Sequence, residues 1–236
     1  MKIGDPTEYT YQWGEEIIEM MRNYGYDVID IKKNDVTYDN VSKSIEYYKP
    51  RLYVHIGHGC PTSMQGQNEC IVTRNFDINE LTNMPNFKEI IQPLIYQTGC
   101  THTCKTLPDI CNPICTNPTN VNLLRGTIVY TISCYTAAQL GNCAVKYGAE
   151  AYVGFKDLML FPVDDVNSQD IFRDVHKMFL NELLTGHTIK ESTEKTEKFE
   201  NELISLYKRT KYISLPLLWN KLNRKVIGNS GASLYG

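Results

Sequence analysis

The sequence predicts an α/β fold, a doubly wound and mainly parallel sheet with flanking helices. Three short runs carry most of that prediction: Arg51–Ile56 (RLYVHI), Thr127–Ser133 (TIVYTIS) and Ala151–Phe155 (AYVGF). They are rich in β-branched and aromatic residues, as strands with both faces covered must be. Around them the apolar period lengthens to that of helices, and strands alternating with helices build parallel sheets.

Element by element, Lys2–Gly4 reads as a short opening strand. From about Gly14 to Tyr24 a helix places Ile17, Ile18, Met21 and Tyr24 on one face, with Gly25 as its stop. Asp27–Ile31 (DVIDI) alternates as a strand does. Asn40–Tyr48 reads as a helix, with Asn40 as the N-cap and Pro50 closing it. RLYVHI follows and runs directly into Gly57-His58-Gly59. After TIVYTIS, Thr136–Lys146 reads as a helix stopped at Gly148. Ser168–Leu184 carries Ile171, Val175, Phe179 and Leu183 at spacings of four. Lys190–Lys211 reads as a solvated helix with Glu191–Lys195 and Glu194–Lys198 pairs and a Phe199, Leu203, Tyr207 stripe. The tail Leu215–Leu234 is apolar enough to dock on the sheet.

The chain has 236 residues, 42% of them hydrophobic, so it can bury a core. At about 150 residues per domain this is one domain, 1–236, with room for an insertion. Lys and Arg number 24 against 27 Asp and Glu, a net charge of -3, which argues against a nucleic-acid partner. No apolar run reaches the roughly 18 residues of a membrane span. MKIGDPTEYTYQWGEEIIEM lacks a basic-then-apolar signal pattern, so the expected location is cytoplasmic unless an upstream segment has been removed.

In an open α/β sheet, ligands bind beyond the carboxyl ends of the strands. Two of the predicted strands end in reactive groups, one in His58 and the other in Cys134. Parallel neighbours would bring these two ends to one edge, although 76 positions separate them in sequence. A thiolate at Cys134 would gain from an imidazolium at His58 and from a helix beginning just after it. The Gly59 and Cys134 N–H groups would form an oxyanion hole. Against this stands a plainer account, in which a cysteine at a strand end is a small hydrophobe and a histidine a satisfied structural group.

At these residues the chain resembles the caspase-like (clan CD) cysteine peptidases, and most closely their gingipain-like branch. The resemblance rests on YVHIGHG (Tyr53–Gly59), GTIVYTISCYTAAQLG (Gly126–Gly141), KYGAEAYVGFKD (Lys146–Asp157) and the ending WNKLNRKVIGNSGASL (Trp219–Leu234). It covers most of the chain outside residues 60–125. It implies a caspase-like three-layer sandwich and a His58–Cys134 dyad that cleaves peptide or protein substrates through a thioester, with no cofactor required for catalysis. Relatives often carry a charged or polar residue two positions before the cysteine, where this chain has Ile132 in the wall of the substrate pocket. Asp5 and Asp157 are then the candidate acids for a Lys or Arg side chain, each with a solvated loop carboxylate as the plainer account. Relatives usually have residues ahead of the first strand, so the chain reads as a truncated or processed product. They are often zymogens, which leads us to expect self-cleavage around residues 98–120.

Two metal readings compete. His55 and His58 stand three apart, which suggests a metal-dependent hydrolase, but on a strand they point to opposite faces unless Gly57 turns the chain. Cys100, Cys104, Cys111 and Cys115 follow C-x3-C-x6-C-x3-C, with His102 among them. A structural zinc, two disulfides and free thiols all fit that spacing. The segment interrupts the two candidate catalytic strands and reads as an insertion at their edge. A non-catalytic caspase-like scaffold, with this insertion making protein contacts, is the remaining alternative. Cys60, Cys70 and Cys143 read as structural.

Overall fold

The computed structural model describes residues 6–66, 70–73, 120–162 and 166–236. The expected strand Lys2–Gly4, Asp5 and the four clustered cysteines lie outside the described residues, as does most of the expected self-cleavage segment. Four strands form the central sheet: β1 (Leu52–Ile56), β5 (Ile128–Ile132), β6 (Ala151–Phe155) and β7 (Arg224–Gly228). Their order is β1-β5-β6-β7; the first three are parallel, and β7 runs antiparallel to β6. A second antiparallel sheet joins β2 (Gly59–Cys60), β3 (Ser63–Gln65) and β4 (Cys70–Thr73). The fold is thus mixed α/β, with a mainly parallel sheet and flanking helices.

Alternation along β5 and β6 explains the layers. Ile128, Tyr130, Ile132, Val153 and Phe155 enter one apolar cluster, which receives α1 (Pro6–Asn23), α4 (Val166–Leu184), the first residue of α5 (Ile189–Leu206) and α6 (Lys211–Asn223). Val129 and Tyr152 point the other way, into a cluster with α2 (Tyr38–Tyr48) and α3 (Leu140–Lys146). Tyr130, Tyr152, Phe155 and Phe179 are fully buried, and each large apolar side chain so placed stabilises the fold by about 1.5–3 kcal/mol.

Several boundaries differ from expectation. α1 begins at Pro6 and runs straight through Gly14. α2 is capped by Thr37, whose Oγ1 accepts the Asn40 N–H at 3.2 Å, so Asn40 lies inside the helix. Asp27–Ile31 joins no strand among the described residues: Val28 packs on the core, while Asp30 pairs with Lys32 at 2.9 Å. The segment 190–211 is not one helix. α5 ends at Leu206, and α6 starts at Lys211 and continues past Pro216. Glu191 accepts the Thr188 N–H in a capping box, and Lys195 reaches Glu182 at 2.6 Å. The tail docks on the sheet as expected, and part of it does so as β7.

Candidate active site

The ladder between β1 and β5 pairs His55 with Thr131 and Ile56 with Ile132, a constant offset of 76 residues. It continues one step further, since Gly57 N–H donates to Ile132 O at 3.2 Å. His58 and Cys134 each follow the last ladder pair by two residues. Gly57 has φ 153°, a conformation side chains seldom take, and here the chain leaves β1 for β2. Gly59 then rests directly on the Cys134 turn. A Cβ built on it would stand 2.8 Å from Cys134 O and 3.1 Å from Ser133 Cβ, so any other residue would push the two strand ends apart.

The His58 imidazole is exposed, while its carbonyl is fixed by two donors: His55 Nε2 at 3.0 Å and Gln65 N–H at 3.1 Å. Both bonds hold the backbone and leave the ring at the rim. His55 is buried, and burial pushes its imidazole down to about 4, so it remains neutral. One face of the metal pairing is therefore a neutral ring already committed to the His58 carbonyl. Among the described residues no three His, Cys, Asp or Glu side chains are grouped to hold a metal ion.

The Cys134 thiol is half-buried against the apolar cluster of β5 and β6. The helix expected to start beside it begins only at Leu140, after a run of turns, so a helix N-terminus is not what faces the sulfur. A donor comes instead from the loop after β6: Met159 N–H reaches Cys134 Sγ at 3.3 Å. Tyr135, the next residue, is held at φ 60° with its N–H on Asp157 O at 3.1 Å. A left-handed tyrosine costs about 1–3 kcal/mol and persists only where its surroundings impose it. The strain falls immediately after the thiol.

The candidate pocket residues separate. Ile132 has no exposed surface, being enclosed in the core beneath the rim, and in this conformation offers nothing to a substrate. Asp157 does lie at the rim, with Oδ1 accepting the Leu158 N–H at 2.8 Å. Met159 and Tyr135 were missed in the sequence: Met159 acts through its backbone, and nothing in CYTAA marks a positive φ. The chain matches no family model, no curated protein and no solved structure. Among the described residues no helix is long and apolar enough to cross a membrane.

Proposed function

We propose that this chain is a cysteine endopeptidase of the caspase-like kind, with Cys134 as nucleophile and His58 as its acid–base partner. The observation that supports it best is the shared register of β1 and β5: His58 and Cys134 each come two residues after their last ladder pair, Ile56 with Ile132. In the reaction, the Cys134 thiolate adds to the scissile carbonyl. The tetrahedral oxyanion takes hydrogen bonds from the Gly59 and Cys134 N–H groups. Collapse breaks the C–N bond, His58 gives its proton to the leaving amine, and a thioester remains on Cys134. Water, giving up a proton to His58, then releases the acid and restores the thiol. Asp157, the described acid at this rim, favours a Lys or Arg side chain on the acyl side of the cut.

A peptidyl acyloxymethyl ketone should label wild-type protein at Cys134 alone. Cys134→Ala should abolish labelling and peptide cleavage together, and His58→Ala should slow cleavage by about 10²–10⁴-fold. Stoichiometric labelling of another cysteine, with Cys134 silent, would overturn the proposal.

A further inference from the structure

The loop from Phe155 to Leu160 has two sides, and the sides alternate residue by residue. One backbone group of each odd-numbered residue meets the Cys134 turn. Ala137 N–H donates to Phe155 O at 2.9 Å, Tyr135 N–H to Asp157 O at 3.1 Å, and Met159 N–H to Cys134 Sγ at 3.3 Å. Its even-numbered residues meet the C-terminal end of α6, although the Leu158 N–H turns to Asp157 Oδ1 at 2.8 Å. Lys156 N–H donates to Asn223 O at 2.9 Å and Trp219 Nε1–H to Leu158 O at 2.8 Å. The Asn220 carboxamide clamps Leu160 at both of its backbone groups, accepting from its N–H at 2.8 Å and donating to its C=O at 2.6 Å. Both sets of bonds hold one short stretch of backbone, so pinning one side restrains the other.

We infer that Asn220 is a positioning residue for the Cys134 thiolate: its carboxamide holds the 155–160 strap so that Met159 N–H stays directed at the sulfur. Asn220 is buried, and an amide with both groups engaged by one backbone residue has a single orientation. A donor aimed at a sulfur stabilises the thiolate over the thiol, because hydrogen bonds to an ionised acceptor are the stronger ones. The clamp is separated from the thiol by one residue of strap, close enough that losing it lets Met159 N–H swing away. The ionisable side chains on the elements meeting this turn are His58 after β1, Tyr135 in the turn itself, and Lys156 and Asp157 in the strap. Asn220→Ala leaves all four of these side chains in place.

The inference rests on reading Cys134 as the nucleophile, but its test needs no peptide cleavage. Iodoacetamide alkylation of Cys134, followed by mass spectrometry from about pH 5 to 10, gives the thiol's titration midpoint. Asn220→Ala should raise that midpoint by about one pH unit, which slows alkylation about tenfold well below it and leaves the alkaline plateau unchanged. Trp219→Phe keeps an aromatic side chain, though a smaller one, and removes the donor to Leu158 O; it should give a smaller shift in the same direction. If Asn220→Ala does not fold by circular dichroism, Trp219→Phe decides the matter. Superimposable profiles, or a lowered plateau with an unmoved midpoint, would overturn the role assigned to Asn220. A shifted midpoint in a protein that cleaves no peptide would instead remove the peptidase reading and keep the strap.

Discussion

His58 and His176 both lie beside the central sheet, one beyond the end of β1 and the other on α4 beneath β5 and β6, and their surroundings differ. His176 is 3% exposed, hydrogen-bonded through Nδ1 to the Tyr130 hydroxyl at 2.8 Å, and ringed by Trp13, Tyr130 and Phe155. Near it, Arg224 makes a two-pronged pair with Glu200 at 3.0 and 2.6 Å, both side chains buried. At the rim the polar groups are left partly wet and the backbone carries the strain, at Tyr135. The polar groups around His176 are paired off and closed; at the rim, backbone hydrogen bonds fix the turn and the His58 side chain is exposed. That division is what separates groups that hold a fold from groups available for chemistry.

The comparison breaks first, and by the largest amount, at Glu200. Glu200→Ala leaves Arg224 buried without its counter-charge, which should cost about 3–5 kcal/mol in urea unfolding. Replacing both partners, as Glu200→Leu with Arg224→Met, should recover most of that loss, since an apolar pair of similar volume needs no counter-charge. If the double replacement were as unstable as the single, the pair would have a role beyond satisfying itself. Cys134 alkylation in the double variant should match wild type.

Acid sharpens the contrast next. Burial pushes the His176 imidazole down to about 3 and, as noted above, that of His55 to about 4, against an ordinary value of 6.5. Between these limits the unfolded chain binds protons that the folded chain refuses. The contribution of the neutral rings is therefore whole above pH 6.5 and is lost as pH falls toward 4. By about pH 5 the loss is about 2 kcal/mol for each histidine. His176→Phe leaves the Tyr130 hydroxyl unpaired, which costs about 1–3 kcal/mol at every pH. It should nevertheless remove about half of the decline between pH 7 and 5, measured as urea midpoints. Parallel curves for wild type and variant would show that His176 is not a neutral buried ring.

How much of this was legible in the sequence depends on where each feature stores its signal. RLYVHI, TIVYTIS and AYVGF were legible as strands because burial on both faces demands unbroken β-branched and aromatic runs. β7 was not, because RKVIG opens with two charges, one of which is satisfied only by the distant Glu200. β2, β3 and β4 are two to four residues long and leave no period to read. Asp27–Ile31 has a strand's alternation, yet alternation records only which side chains are covered and not whether a neighbouring backbone is present to pair. His58 and Cys134 were legible as residues at strand ends; that both come two residues after the last pair of one ladder was not, because a register exists only between two strands. The strap was illegible for a deeper reason. Its contacts with the thiol run through backbone atoms, and Asn220 reads in sequence as an ordinary helix asparagine.

The smallest effect on stability should come from His58 itself. Its ring is exposed, and what anchors this stretch is its carbonyl, bound by His55 and Gln65, which survives truncation of the side chain. His58→Ala should therefore shift unfolding by no more than about 0.5 kcal/mol, as exposed substitutions do, while removing the acid–base partner proposed for Cys134. A loss of several kcal/mol would place His58 with His176 among the groups that hold the fold, and the rim would then be a second interior. Near-silent thermodynamics together with a large loss of cleavage is the combination expected of a residue kept for chemistry.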